Sequence, residues 1–377
     1  MALDRYYTLG RSGLRVSPLS LGTMTFGNDW GWGADEAASR RMFDRYLAAG
    51  GNFIDTADLY TNGHSEELIG RFVAAAKARD RVVIATKFSY GAEPGNPNAG
   101  GNGRKAMLRA VEGSLRRLGT DYIDLYLLHT WDRITPAEEV LETFDHLVAA
   151  GKIRYTGLSD VPAWYAAEMA TLARAHGRQR LVNLQLQYSL VERNIEREFV
   201  DLALEFGLGI TAWSPLGMGL LGGRYRPGDE RGDGAGRLHV LKASGIAALQ
   251  DKFTERNWTI VGVLERVARE AGISMSQAAI QWAARRPAIG SVILGARTPE
   301  QLEDNLAALD RDLTPVQLAA LDEASALPLQ FPYSFFAQDQ QARIHGGVAV
   351  GDKPDGYAAP VRIAAGAGGG PDASAKR

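Results

Sequence analysis

Asp55, Tyr60, Lys87 and His129 are four side chains whose types, taken together, suit the polarisation and protonation of a carbonyl oxygen. A phenol titrates at about 10 when unperturbed, too high for an efficient acid at neutral pH; a neighbouring ammonium stabilises the phenolate, and making ionisation tenfold easier takes about 1.4 kcal/mol. Lys87 is the candidate for that ammonium, Asp55 for the carboxylate that fixes it and keeps it charged, and His129 for a hydrogen bond to the substrate oxygen from the other side. Singly, each has an ordinary explanation as a turn carboxylate, a solvent-reaching lysine, a surface tyrosine or a core histidine satisfied by backbone. The four together name no source of electrons.

Position is what joins them. Short apolar runs rich in Val, Ile and Leu recur near 18–22, 52–56, 82–87, 123–129, 153–159, 182–187, 208–213 and 290–294. Segments of helical period lie near 35–49, 65–77, 104–118, 136–150, 162–176, 196–206, 257–285 (broken at Gly272) and 299–309. Thr135-Pro136 fits an N-cap followed by N1, Asp160-Val161-Pro162 starts another helix, and Gly151 and Gly207 fall where C-caps belong. Eight βα units with nearly continuous apolar strands predict parallel strands covered on both sides, either open and doubly wound or closed as a (β/α)8 TIM barrel; the barrel is the better reading. Asp55, Lys87, His129, Ser159, Gln185 and Trp213-Ser214 then each end a different strand, and in a barrel those ends converge on the face where active sites form. Tyr60, five positions after Asp55, must sit on the following loop to return over that face, and "TNGH" just after it supports a loop.

Residues 6–17 read as a short N-terminal β-hairpin turning at Gly10 to Gly13 and capping one end of the barrel. The stretch 222–238 is too polar and Gly-rich for a helix and reads as a long loop. Residues 1–335 are expected to form the barrel domain with an extra C-terminal helix, and 336–377 an extension, disordered from about Gly346.

Composition narrows the chemistry. Lys+Arg 42 against Asp+Glu 44 leaves a formal charge of −2, which gives no electrostatic reason to expect nucleic acid or an anionic membrane as partner. With Cys 0, thiolate metal sites, Fe–S clusters and a cysteine nucleophile are excluded. The six histidines include no H-E-x-x-H spacing. An apolar leader and a membrane-length segment are both lacking, so a soluble cytoplasmic protein acting on a small molecule is expected.

"GMGLLG", from Gly217 to Gly222, matches the dinucleotide string G-x-G-x-x-G, but Pro215 precedes it and a polar loop follows, so it does not open a Rossmann helix. It better suits a flexible loop whose backbone N–H groups approach a phosphate. Trp213 offers a stacking surface, Ser159, Asp160 and Gln185 carry groups fit for a carboxamide, and Arg297, at the start of a helix in "GARTPEQLEDN", invites an anion.

With these residues assembled, the chain resembles the aldo-keto reductases over roughly 5–335, through "IDTADLY", "IATK" and "LYLLH" in that order. The resemblance implies an NADP(H)-dependent barrel in which Tyr60 is the general acid, Lys87 lowers its pKa, Asp55 pairs with Lys87 and His129 orients an aldehyde or ketone. It implies further that Ser159 and Gln185 hold the carboxamide, with Asp160 of "GLSD" standing where the family has Asn, and that Trp213 stacks on the nicotinamide. Gly22, Thr23 and Met24 would form the first cofactor-side loop, and Ser214, Leu216, Gly219, Gly222 and Arg224 the pyrophosphate loop. Gly295, Arg297, Gln301, Asp304 and Asn305 would form the adenine end, Asp304 replacing a more usual Glu; Arg297 argues for NADP over NAD, since a guanidinium pairs well with a 2′-phosphate. Trp30, Trp32, Phe88 and Trp131 are the expected substrate pocket. Two rivals stand beside this reading: an NADPH-binding regulatory or scaffolding subunit, and an aldolase forming a Schiff base on Lys87.

Overall fold

The computed structural model describes residues 3–91, 93–228, 252–336 and 338–348. The chain divides into two compact units, Met1–Ala326 and Leu327–Arg377.

The first unit is a closed barrel of eight parallel strands. In chain order they are β3 (Leu19–Gly22), β4 (Phe53–Asp55), β5 (Val83–Phe88), β6 (Ile123–Leu128), β7 (Ile153–Ser159), β8 (Leu181–Gln187), β9 (Gly209–Trp213) and β10 (Ile289–Gly295), with β10 pairing back onto β3. Each pairs with the next in sequence, with register shifts within the β7–β8 and β9–β10 pairs. The helices that follow are α1 (Glu36–Ala48), α2 (His64–Ala75), α3 (Arg104–Leu118), α4 (Ala137–Ala149), α5 (Ala163–Ala175), α6 (Phe199–Phe206), α7 (Glu255–Ala271), α8 (Met275–Ala284), α9 (Pro299–Leu306) and α10 (Pro315–Ser325). Residues 229–251, including most of the polar loop expected at 222–238, lie outside the described residues.

Local signals set these boundaries. Gly119, Gly207 and Gly272 end helices in the left-handed conformation. Ser274 with Gln277, and Thr314 with Gln317, form capping boxes that start α8 and α10. Pro136 departs from the expected N1 position: with φ −60 and ψ 146 it is itself the N-cap, and Pro162 behaves alike. An extended ψ lets the chain turn in from the preceding loop before the helix begins at the next residue.

Most of the core lies between the strands and the helical ring. A smaller inner cluster of Leu9, Val16, Phe53, Val83, Ala85, Leu125, Leu127 and Val182 fills the N-terminal end of the barrel. Leu9 and Val16 come from the hairpin of β1 (Tyr7–Thr8) and β2 (Arg15–Val16), which closes that end as expected. Its turn residue Gly10 has φ +59, and a Cβ there would lie 2.5 Å from the Val182 carbonyl oxygen. Only glycine lets the turn sit this close to the strand ends.

The extra C-terminal helix α10 is anchored through Asp322, which accepts from Trp282 Nε1 at 2.9 Å and Arg286 Nη1 at 2.8 Å. In the second unit the described elements are a 3-10 turn at Tyr333–Phe336 and α11 (Gln338–Ile344). Among the described residues no helix is long and apolar enough to cross a membrane, and no cluster of His, Cys, Asp or Glu could hold a metal.

Candidate active site

Strand register explains how the charged groups meet. Asp55 ends β4 opposite Ala85 of β5, so Lys87 stands two residues farther along the neighbouring strand and on the same face. Its ammonium, fully buried, donates to Asp55 Oδ2 at 2.8 Å, to the Thr56 carbonyl at 2.7 Å and to Tyr60 Oη at 3.2 Å. Burial alone would lower the Lys87 pKa, but the charge of Asp55 and the Tyr60 oxygen outweigh it and hold the ammonium above the ordinary lysine value. Asp55 has a second anchor that the sequence did not reveal: its Oδ1 accepts from Gln185 Nε2 at 2.7 Å. The carboxylate is thereby bound on both oxygens, which offsets its desolvation.

Tyr60 opens a 3-10 turn, Tyr60–Gly63, in which Thr61 and Asn62 have φ 47 and 58. Thr61 pins this turn by donating to the Phe26 carbonyl at 2.9 Å, and the ring of Tyr60 meets that of His129 edge-on at 5.9 Å. His129 begins the loop after β6; its Nδ1 is buried with no partner among the described residues. Burial, with Lys87 nearby, pushes the imidazole pKa well below its usual value, so it is neutral at physiological pH.

A groove of about 1250 Å³ opens over these residues. Its lining includes Gly22, Met24, Trp30 and Trp32 with Asp55, Tyr60 and His129; Ser159, Asp160, Gln185, Trp213, Ser214 and Leu216; and Gly219, Gly222, Arg224, Gly295, Arg297, Gln301, Asp304 and Asn305, Gly295 being the register partner of Gly22. Asp160, in the left-handed region at φ 43, accepts from Trp213 Nε1 at 3.1 Å. Burial pushes its carboxyl up to about 6 against the Trp213 hydrogen bond, while its opening to the groove leaves water to temper that effect. The Ser214–Gly222 loop carries positive φ at Ser214, Gly217, Met218 and Gly219, and Ser214 Oγ accepts from the Met218 amide at 3.1 Å.

Three expected residues fall elsewhere. Phe88 lies one position beyond Lys87, so the alternation of β5 turns it outward into the core, where it stacks on Tyr126 at 5.0 Å and meets Phe144 at 6.3 Å. Trp131 packs edge-on against Trp164 at 5.5 Å, away from the groove lining. Thr23 is fully buried, its hydroxyl donating to the Asp55 carbonyl at 2.9 Å and meeting Ser65 Oγ at 2.8 Å, so it braces the loop from behind. Asp304 reaches the groove but is held by Ser274 Oγ at 2.9 Å and Gln277 Nε2 at 2.8 Å, where it helps cap α8. Gln301 Oε1 accepts from the Arg297 amide at 2.9 Å.

Tyr90, Gln187, Met218, Tyr225 and Ser276 also line the groove. Gln187 was findable, since Asn183, Gln185 and Gln187 share one face of β8 by the period-two rule. Tyr90 lies on the loop that offered Phe88, and its ring meets His129 edge-on at 5.1 Å.

The groove fits a dinucleotide on several counts. Arg224 and Arg297 line it, with no side-chain hydrogen bond or ion pair to the described residues; Gln187 Nε2 is buried without a hydrogen-bond partner among the described residues, and Trp213 presents a half-buried indole beside Asp160.

Comparison with known proteins agrees with this architecture. The model of the Aldo/keto reductase family matches residues 18–326. Among curated proteins the chain is 34% identical to norsolorinic acid reductase stcV of Emericella nidulans over 340 residues, covering 88% of this chain and 84% of that protein. It is 35% identical to an aryl-alcohol dehydrogenase [NADP(+)] of Phanerodontia chrysosporium over 347 residues, 88% of each chain. It is 36% identical to the oxidoreductase YrpG of Bacillus subtilis over 329 residues, 84% of this chain and 95% of that one. A closed parallel barrel, a lysine held between a carboxylate and a phenol at its mouth, and a match running through all eight strands make this chain a member of the aldo/keto reductase family.

Proposed function

We propose that the protein reduces an aldehyde or ketone with NADPH, Tyr60 donating the proton, in a reaction reversible as alcohol oxidation. The observation that carries this reading is the buried ammonium of Lys87 within hydrogen-bond reach of both Asp55 and Tyr60. A fixed cation beside a phenol favours the phenolate left after proton donation, which is what a tyrosine acid requires at neutral pH. Neutral His129 keeps an N–H for the carbonyl oxygen; with Nδ1 buried, Nε2 is the nitrogen available to a ligand. Trp213, Ser159, Gln185 and the Ser214–Gly222 loop would hold the cofactor, which when bound supplies hydride. Arg297 and Arg224, which line the groove without a side-chain hydrogen bond or ion pair to the described residues, support a 2′-phosphate and hence NADP(H), in keeping with the name of the Phanerodontia relative. Trp30, Trp32 and Tyr90 around the mouth, together with that relative's aryl-alcohol name, favour a flat aromatic substrate.

The buried Lys87 donates to three oxygens and is held charged, so it lacks the free lone pair that a Schiff-base aldolase needs. The test is NADPH oxidation with a panel of aromatic and aliphatic aldehydes. Tyr60→Phe should lower kcat by about 10²- to 10⁴-fold while NADPH still binds. Turnover unchanged in that variant would remove Tyr60 as the acid.

A further inference from the structure

Asp160 places a carboxylate where only neutral groups flank it on its own side of the groove. Ser159 precedes it, Gln185 lies across the β7–β8 pairing, and Trp213 Nε1 donates to its Oδ1 at 3.1 Å. The titratable groups facing it from other elements are Lys87 of β5, already bound to Asp55, Tyr90 on the loop after β5, and neutral His129 after β6. Among the described residues no cation pairs with Asp160 in an ion pair, and its carboxyl opens to the groove beside the indole.

We propose that Asp160 makes the site prefer the oxidised, positively charged nicotinamide over the neutral reduced one. The inference rests on the cofactor reading given above. Carbonyl reduction moves a hydride, two electrons with one proton, onto the carbonyl carbon and a proton from Tyr60 onto the oxygen, leaving one positive charge on the ring. An ionised Asp160 stabilises that charge as it develops, favouring reduction on the enzyme and slowing release of the oxidised cofactor. An amide at the same place would hydrogen-bond a carboxamide equally well and carry no such bias.

The sign of the pH effect follows from linkage. A cation beside Asp160 depresses its pKa in the complex, so the preference is complete above the free group's value of about 6 and is lost as pH falls from there through the lower value of the complex. The 2′-phosphate titrates in both cofactor forms and cancels in their ratio.

The experiment is fluorescence titration of the whole protein with NADP+ and with NADPH from pH 5 to pH 8, for wild type, Asp160→Asn and Trp213→Phe. Asn tolerates the left-handed backbone, so the first variant keeps the fold. We expect Asp160→Asn to lower the preference for NADP+ over NADPH about tenfold at pH 8, a change of about 30 mV in the bound two-electron couple, and to flatten its pH dependence. Trp213→Phe removes the indole donor and leaves the charge, so it should keep the NADP+ preference at pH 8 and move its loss to higher pH, because the donor no longer holds the Asp160 carboxyl down. A ratio unchanged in Asp160→Asn, or equal weakening of both forms, would overturn the proposal while leaving the cofactor reading intact. Failure of wild type to bind either form would overturn both.

Discussion

Around the barrel mouth, carboxyl groups three positions apart meet opposite fates. Asp55 is satisfied on both oxygens by Lys87 and Gln185. Asp58 has a buried Oδ1 with no partner among the described residues, and it faces Glu66, which is itself fully buried and held by Arg117 Nε at 2.7 Å and Thr86 Oγ1 at 2.5 Å. Burial, then the charge of Glu66, raises the Asp58 pKa to about 7. An unfolded aspartate titrates at about 3.9, so between that pH and about 7 the unfolded chain releases a proton that the folded chain keeps, and stability falls as pH rises through this window. Asp58→Asn should therefore be more stable than wild type by roughly 1–3 kcal/mol at pH 8, with the difference vanishing near pH 4, as read by urea unfolding. The four chemical residues were legible one by one in the sequence, because each ends or follows an apolar run. The Asp55–Gln185 bond and the isolation of Asp58 were not, since both depend on contacts across the barrel or on Glu66 from the following helix.

At the scale of the element, strand alternation decides which neighbours reach the groove. Lys87 and Phe88 are adjacent, yet one faces the mouth and the other the helical ring. Phe88→Ala should destabilise the barrel by about 3–5 kcal/mol through the cavity left beside Tyr126 and Phe144, lowering Tm while the KM of the surviving folded enzyme changes little. An effect on substrate selectivity without loss of stability would return Phe88 to the pocket. The sequence carried the parity needed to place this ring and to find Gln187. Aromatic residues on irregular loops gave no such rule: Tyr90 lines the groove and Trp131 does not, because loop direction follows from closure over the barrel rather than from a period.

For the molecule as a whole, eight apolar runs and the glycines between them were enough to read the barrel, whose order leaves no choice of neighbour once the sheet closes. The surroundings of Asp304 were less legible, since it is held in place by Ser274, the N-cap of α8, and by Gln277. Ligand that binds the folded barrel alone must stabilise it, by about 2.7 kcal/mol at a hundred times Kd. NADPH should raise Tm more than NADH at equal concentration, and Arg297→Ala should shrink that difference, a comparison made directly by thermal melts; equal shifts in wild type would argue against the 2′-phosphate contact. The hairpin that plugs the opposite end has a practical consequence. Leu9 and Val16 seal that floor far from the reacting groups, so a solid support or a fused reporter attached beneath the barrel leaves the whole mouth facing solution, and an immobilised catalyst built this way should keep the turnover of the free one.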